Sequence, residues 1–367
     1  MFNSVSTFRL KSSAMTTIIM GMIFLSIVSA LALYSSLHQA GEFKEQDIFY
    51  KQITWLIISG ISFVIFSFLN YRLLFDIAFI FYAFNLVLLV AVDLFGKTAL
   101  GAQRWLNIGG FNFQPSELSK GAIIFVLARL FSSTEKKGFF RGIIFPFILV
   151  ALNALFIVKQ PDLGTALILI FLFFMIGFAS QVKKRYFIFL ILFAATLCPF
   201  AWNHLKSYQQ KRLIVFLNPN AEPLGAGYTI IQSKIAIGSG RIIGKGFLSG
   251  TQNQFNFLPE RHTDFIFTVI AEEWGLIGSL FLLFVYFLII KNMLEIIRYL
   301  KDPFAVLLSL GISSFFFLQV FINIGMTLGI LPVVGLPLMF ISYGGTHLLV
   351  SFSLLGIFYN IWRQANN

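Results

Sequence analysis

Ten apolar runs, parted by short polar segments and by one long one, order this chain of 367 residues. A helix that spans a bilayer needs about 20 mainly apolar residues. Runs of that kind lie near 15–37, 53–68, 73–92, 118–131, 143–158, 163–178, 187–201, 265–290, 304–324 and 340–361. The pattern predicts an all-α integral membrane protein: one polytopic domain over 1–367 with ten transmembrane helices. A long extracytoplasmic loop, 204–263, would join spans seven and eight.

Composition supports this reading. The chain is 58% hydrophobic, 17% aromatic and 11% charged, against about a quarter charged residues in soluble domains. The net charge of +12 does not imply nucleic acid, because the basic residues sit in short clusters between apolar runs and not along one face. Cys198 is the one cysteine and lies in an apolar run, which excludes disulfides and thiolate metal sites within the chain. The first run is too long for a signal-peptide core and reads as a retained span. With the N-terminus inside, fourteen Lys and Arg fall on cytoplasmic segments, led by Lys136, Lys137 and the Lys183–Arg185 cluster. Six fall on the short outer ones. By the positive-inside rule both termini are then cytoplasmic.

That orientation turns the polar chemistry outward. Segment 93–115 carries a Gly-Gly turn and the interfacial pair Arg104–Trp105, and 159–162 reads KQPD. Segment 325–345 is apolar but rich in Gly and Pro, so a re-entrant or broken helix is expected there, buried in protein or lining a cavity. In the long loop, 228–238 predicts a short helix lying in the interface, with Gln232 and Lys234 near headgroups. From Lys206 to Asp264 seven basic residues face three acidic ones, a surface suited to an anionic ligand such as a lipid phosphate.

The densest chemistry is LPERHTD at 258–264, where Glu260, Arg261, His262, Thr263 and Asp264 meet the eighth apolar run. A helix starting near Pro259 would put Glu260 and Asp264 at i and i+4 on one face, with Glu272 two turns further. The alternative is that Asp264 caps the helix and its neighbours are interfacial charges. Glu260, His262 and Asp264 carry metal-binding atoms, yet on a helix i and i+2 diverge, so a metal there requires an extended segment. GSGRIIGKG at 238–246 resembles a phosphate loop, but Gly246 stands where Ser or Thr is needed. Glu117 and Lys120, at i and i+3 in QPSELSK, pose the question of charge entering a membrane run. With Asp162 they predict a network beside the cavity, either structural or substrate-positioning.

Taken together, these segments resemble the SEDS family (shape, elongation, division and sporulation), and within it the rod-shape-determining branch. The similarity runs through GAQRWLNIG and QPSELSK at 101–120, KQPDLGTA at 159–166, YQQKR at 208–212 and PLGAGYTIIQSKIAIGSG at 223–240. It continues through GKGFLSGTQNQFNFLPERHTDFIF at 244–267 and NIGMTLGILPVVGLPLMFISYGG at 323–345. The resemblance implies a peptidoglycan glycosyltransferase that polymerises lipid II at the outer face of the bacterial cytoplasmic membrane, with Asp264 as its catalytic residue. It implies a class B penicillin-binding transpeptidase and other elongation-complex membrane proteins as partners. Met339 stands where the family usually has Pro and Thr346 where it has Ser, with His347 following.

Inverting glycosyl transfer from a diphosphate needs a base for the acceptor hydroxyl and positive charge for the leaving group. Asp264 is the candidate base. Arg212, Lys234, Arg241, Lys245 and Arg261 are candidate cations, and a divalent ion (Mg or Mn) is a candidate helper. Substrate contacts are expected from Arg104, Glu117, Lys120, Asp162, Arg212, Lys234 and Lys245, and from Glu260, Arg261, His262 and Thr263. A flippase for a lipid-linked precursor suits ten spans equally, but its path needs polar residues on both faces. A non-catalytic scaffold would not need Asp264.

Overall fold

The computed structural model describes residues 2–366 except 40–41, 44–45, 100–101, 110, 134–137, 203–206 and 226; side chains at 2–11, 197–202, 207–209 and a few strand positions are also left out. Lys44, Lys136, Lys137, the loop start at 204–206 and the side chains of Arg9 and Lys11 therefore lie outside the described residues.

Nine of the ten apolar runs fall in helices over essentially their whole length, and the tenth does so from Gly345 onward. The first seven are α1 (Phe2–Ser36), α2 (Gln46–Phe68), α3 (Arg72–Phe95), α4 (Pro115–Phe131), α5 (Phe145–Lys159), α6 (Leu163–Ala179) and α7 (Lys184–Trp202). A π-helical turn, Phe140–Ile144, leads into α5. The long loop holds α8 (Ser207–Leu217), α9 (Tyr228–Ser239) and α10 (Thr251–Gln254). Then come α11 (Ile266–Ile297), α12 (Pro303–Thr327) and α13 (Gly345–Asn366). Among the described residues seven helices are long and apolar enough to cross a membrane; α6 is apolar but shorter. The chain is a multi-pass membrane protein. Its α4, apolar on nearly every side, is buried along almost its whole length and sits at the centre with α12. The outward Ile57, Ile61, Val64, Ile80, Phe84 and Val87 of α2 and α3 are exposed, as lipid-facing side chains are.

The connections hold what apolar periodicity alone does not reveal. Among the described residues five short strands interrupt the helices: a hairpin of β1 (His38–Gln39) with β2 (Glu42–Phe43), and an antiparallel sheet of β3 (Lys97–Ala99), β4 (Ala102–Ile108) and β5 (Phe111–Phe113). Helix α9 confirms the short helix expected at 228–238. It is more than interfacial, since Ser233 is buried and donates to the Thr327 carbonyl. The eighth run, expected to be continuous, is broken at Gly275, whose φ of 66° and ψ of −162° leave the helical region. The break frees backbone groups that the loop at 240–246 takes up. Leu276 N–H donates to the Arg241 carbonyl at 2.9 Å and Ile277 N–H to Ile242 at 3.1 Å, while Lys245 and Gly246 donate to Glu272 and Glu273 at 3.0 Å each. A Cβ on Gly240 would stand 2.0 Å from the Ala271 carbonyl oxygen, so only glycine fits there. The loop resembling a phosphate cradle instead holds a helix.

The re-entrant expectation for 325–345 holds, except that α12 runs on to Thr327. From 328 to 344 the backbone is irregular, and α13 starts only at Gly345. Buried carbonyls there have no helix to satisfy them, and each would cost several kcal/mol unpaired in an apolar setting. Buried polar side chains from other helices supply the donors. Asn323 donates to Leu336 at 2.6 Å, Gln319 to Pro337 at 2.9 Å, Tyr286 to Met339 at 2.6 Å and Ser29 to Ile341 at 2.8 Å. This explains polar residues within otherwise apolar runs.

A polar cavity as candidate active site

The re-entrant segment, the β3–β5 sheet and the turn before α11 enclose a polar cavity of about 510 Å³ at one end of the helix bundle. Asp264 stands in its wall. The expected helix start at Pro259 is not formed: 259–265 is a turn, Glu260 takes a φ of 54°, and α11 begins at Ile266. Glu260 and Asp264 nevertheless both line the cavity, brought together by the turn and not by a helical face. Asp264 does not cap α11, because Phe265 occupies the cap position and no side chain caps it. The turn is held from behind. Asn323 of α12 donates to the Asp264 carbonyl at 2.9 Å, Tyr343 N–H donates to the His262 carbonyl at 3.0 Å, and Ser342 bonds the Thr263 carbonyl. Thr263 donates to the Glu260 carboxylate at 3.1 Å.

A Cβ on Gly335, which has a φ of 71°, would lie 3.2 Å from the Asp264 carboxylate, so that wall is closely fitted. Burial pushes the Asp264 carboxyl far above the usual carboxylate range, to about 7, and the negative charges of Glu260 and Asp162 add to the shift. Arg104 and Arg212 pull the other way.

The other candidates divide sharply. Arg104, Glu117, Asp162, Glu260 and Thr263 line the cavity with Asp264. Arg104 also ties the β4 strand to the KQPD corner, donating to Gln160 at 2.8 Å and to Pro161. Asp162 caps α6, accepting from Thr165 N–H at 3.1 Å. Arg212 lies outside the wall, donating to the Val333 carbonyl at 3.2 Å, yet near enough for its charge to act on Asp264.

Lys234, Lys245, Arg261, His262 and Lys120 are not cavity residues. Lys234 is exposed and lies against Gly329. Lys245 pairs with Glu272 at 2.7 Å, so that Glu272 anchors the loop and does not share a face with Asp264. Arg261 is buried against the Ser36 carbonyl at 2.8 Å and Asn256, and His262 packs its ring on Tyr343.

The expected network of Glu117, Lys120 and Asp162 is formed in part. Lys120, with no exposed surface, donates to Glu117 at 2.6 Å, and Gln319 lies 3.4 Å away. Asp162 joins only through Ser116 and Gln114, at 3.4 and 3.5 Å. The second carboxylate oxygen of Glu117 meets Nδ1 of His347 at 3.2 Å. Among the described residues no set of three metal-capable side chains converges.

Sequence reasoning missed two cations in the wall, Lys51 and Lys97, together with Trp55, Trp105 and Tyr343. Both lysines are among the six basic residues of the short outer segments that bear on membrane orientation. Lys97 is brought to Arg104 by the β3–β4 pairing, and Lys51 comes from the start of α2; the apolar pattern reports neither.

The family model for the FtsW/RodA/SpoVE cell cycle proteins matches residues 9–367. The chain belongs to that family. This is the SEDS family of the sequence resemblance. The peptidoglycan glycosyltransferase MrdB of Escherichia coli is 44% identical over 281 residues, 76% of each chain. The peptidoglycan glycosyltransferase RodA of Treponema pallidum is 28% identical, covering 94% of this chain and 96% of its own. Two solved structures share the fold. A chain from work on "structural coordination of polymerization and crosslinking by a peptidoglycan synthase complex" superposes with a TM-score of 0.79, at 32% identity over 94% of this chain and 97% of its own. The rod shape determining protein RodA of Thermus thermophilus gives a TM-score of 0.71 at 25% identity, over 95% and 96%.

Proposed function

We propose that this SEDS protein is a peptidoglycan glycosyltransferase that polymerises lipid II in the cavity around Asp264. The observation that carries the reading is the meeting, in one cavity, of a carboxylate with a near-neutral pKa and three cationic side chains, Lys51, Lys97 and Arg104. Glycosyl transfer from a lipid diphosphate needs both. Asp264 takes the proton of the acceptor's sugar hydroxyl as that oxygen attacks the donor's anomeric carbon. The cations stabilise the diphosphate that leaves with the lipid. This is a shorter list of cations than the sequence suggested, and a better placed one. A diphosphate leaves without protonation, so a second catalytic carboxylate is not needed. A divalent cation could share its charge, but the cavity lacks a three-ligand set among the described residues. Such an ion would be held largely by phosphate oxygens, and no step is assigned to it.

Purified protein incubated with lipid II is expected to make glycan polymer, and more of it with a class B penicillin-binding transpeptidase present. A purified, folded protein that binds lipid II yet makes no polymer under either condition would sink the proposal and favour transport.

The same reading places the cavity outside the cytoplasmic membrane and both termini inside. In a Cys198-free background, cysteine at Ser249 is expected to react with an impermeant thiol reagent applied from outside, and cysteine at Ser180 is not. The reverse labelling pattern would overturn the orientation.

A further inference from the structure

His347 sits in the first turn of α13 at the cavity wall. It is only 3% exposed, and Nδ1 faces the Glu117 carboxylate at 3.2 Å. A carboxylate can only accept, so the hydrogen bond puts a proton on Nδ1, and in the neutral form of the ring the lone pair is then on Nε2. That nitrogen is buried and has no hydrogen-bond partner. Buried acceptors are rarely left unmade in folded proteins, and an orphan of this kind asks for a missing partner. The surrounding groups do not supply one. Lys120 is committed to Glu117 and Gln319, and the Thr346 hydroxyl, which accepts the Gln114 N–H, makes no bond to Nε2. Glu117 thus does for His347 what an orienting carboxylate does for a metal-bound histidine: it fixes the tautomer and the ring plane.

We infer that His347 is a substrate-positioning residue whose Nε2 accepts a hydrogen bond from a hydroxyl or amide N–H of a sugar bound in the cavity. The inference rests on the proposal that a lipid-linked disaccharide binds there. It adds a specificity contact made by a neutral acceptor, distinct from the cations that serve the diphosphate. The contact would be present in the bound substrate as well as the transition state, so its loss should act mainly on KM.

Two substitutions separate the two ring nitrogens. Asn places its amide near Nδ1 and keeps the donor to Glu117 while deleting Nε2. Gln reaches toward the Nε2 position but gives up that donor. With lipid II and the purified full chain, H347N is expected to raise KM about tenfold, the usual weight of one hydrogen bond. Its kcat should stay within about twofold of the native value and its melting temperature close to native. H347Q should recover part of the lost affinity while melting lower. A purely structural role gives the opposite order, with H347Q the worse enzyme and H347N native in KM, and either result overturns the inference. Should H347N not fold, H347S decides by the same KM comparison. Failure of the native protein to polymerise lipid II would count against the proposed function, whereas native polymerisation matched by H347N counts against His347 alone.

Discussion

Asp264→Asn is expected to abolish glycan polymerisation while leaving the protein folded and inserted. Asn has nearly the shape of Asp but cannot take a proton from the acceptor hydroxyl. Loss of a general base is worth about 10²–10⁴-fold in rate, which reads as no product in a gel assay of polymer from lipid II. The structure removes the main reason for a silent outcome, since Asp264 does not cap α11. Asp264→Glu should be nearly as poor. The extra methylene moves the carboxylate away from the place the turn gives it in the cavity wall. A misplacement near 1 Å can cost about 100-fold.

The same residue sets a pH dependence. A base works only when ionised, and burial holds the Asp264 carboxyl at about 7. Activity should therefore rise with pH, about tenfold per unit below that value, and level off above it. A folded Asp264→Asn protein that polymerises at the native rate, or that keeps the native pH profile, would end the assignment.

The second large effect concerns the ion pair beneath the cavity. Lys120 is fully buried and Glu117 nearly so, at 2.6 Å. Removing one partner of a buried pair strands the other charge, at a cost of about 3–5 kcal/mol. Lys120→Met should therefore lose most folded yield in detergent. The double variant Glu117→Gln with Lys120→Met strands no charge and should recover much of that yield. Its activity should stay low, because Glu117 lines the cavity and orients His347. Yield by size-exclusion chromatography, melting temperature and polymer formation together check this. A Lys120→Met protein with native melting behaviour would show that the pair contributes little to the fold.

What was legible in the chain, and what was not, follows physical lines. Apolar runs marked the helices because the bilayer imposes length and hydropathy on each one separately. The HTD segment stood out because charge is scarce and Asp264 adjoins an apolar run. Other features depend on partners far away in sequence. Gly275 looked like an ordinary glycine in a membrane run, and only the docking of 240–246 makes it a break. Lys245 matched a phosphate-binding expectation in type and in loop, yet Glu272 takes its charge. Lys51 lies at the start of α2 and Lys97 in β3, and no spacing rule joins them to Arg104. Seeing Glu260 and Asp264 as one cluster was right in outcome for the wrong local reason, a turn doing what a helix was expected to do.

The donors that hold the irregular stretch before α13 carry a consequence for biogenesis. Ser29 lies in the first helix and meets the Ile341 carbonyl, a contact spanning 312 residues of sequence. Tyr286, Gln319 and Asn323 come from the helices made just before the stretch they support. A chain emerging from the ribosome can insert its early helices one by one, each with its own backbone satisfied. The wall behind Asp264 can close only once the late stretch has been synthesised and has found helices laid down at the start. Until then the Ser29 hydroxyl, which accepts from Gln52 of α2 at 3.0 Å, has no carbonyl of that stretch to donate to, and the site does not yet exist. Assembly of the cavity is thus a final, long-range step in the making of this protein, taken after membrane insertion is nearly complete.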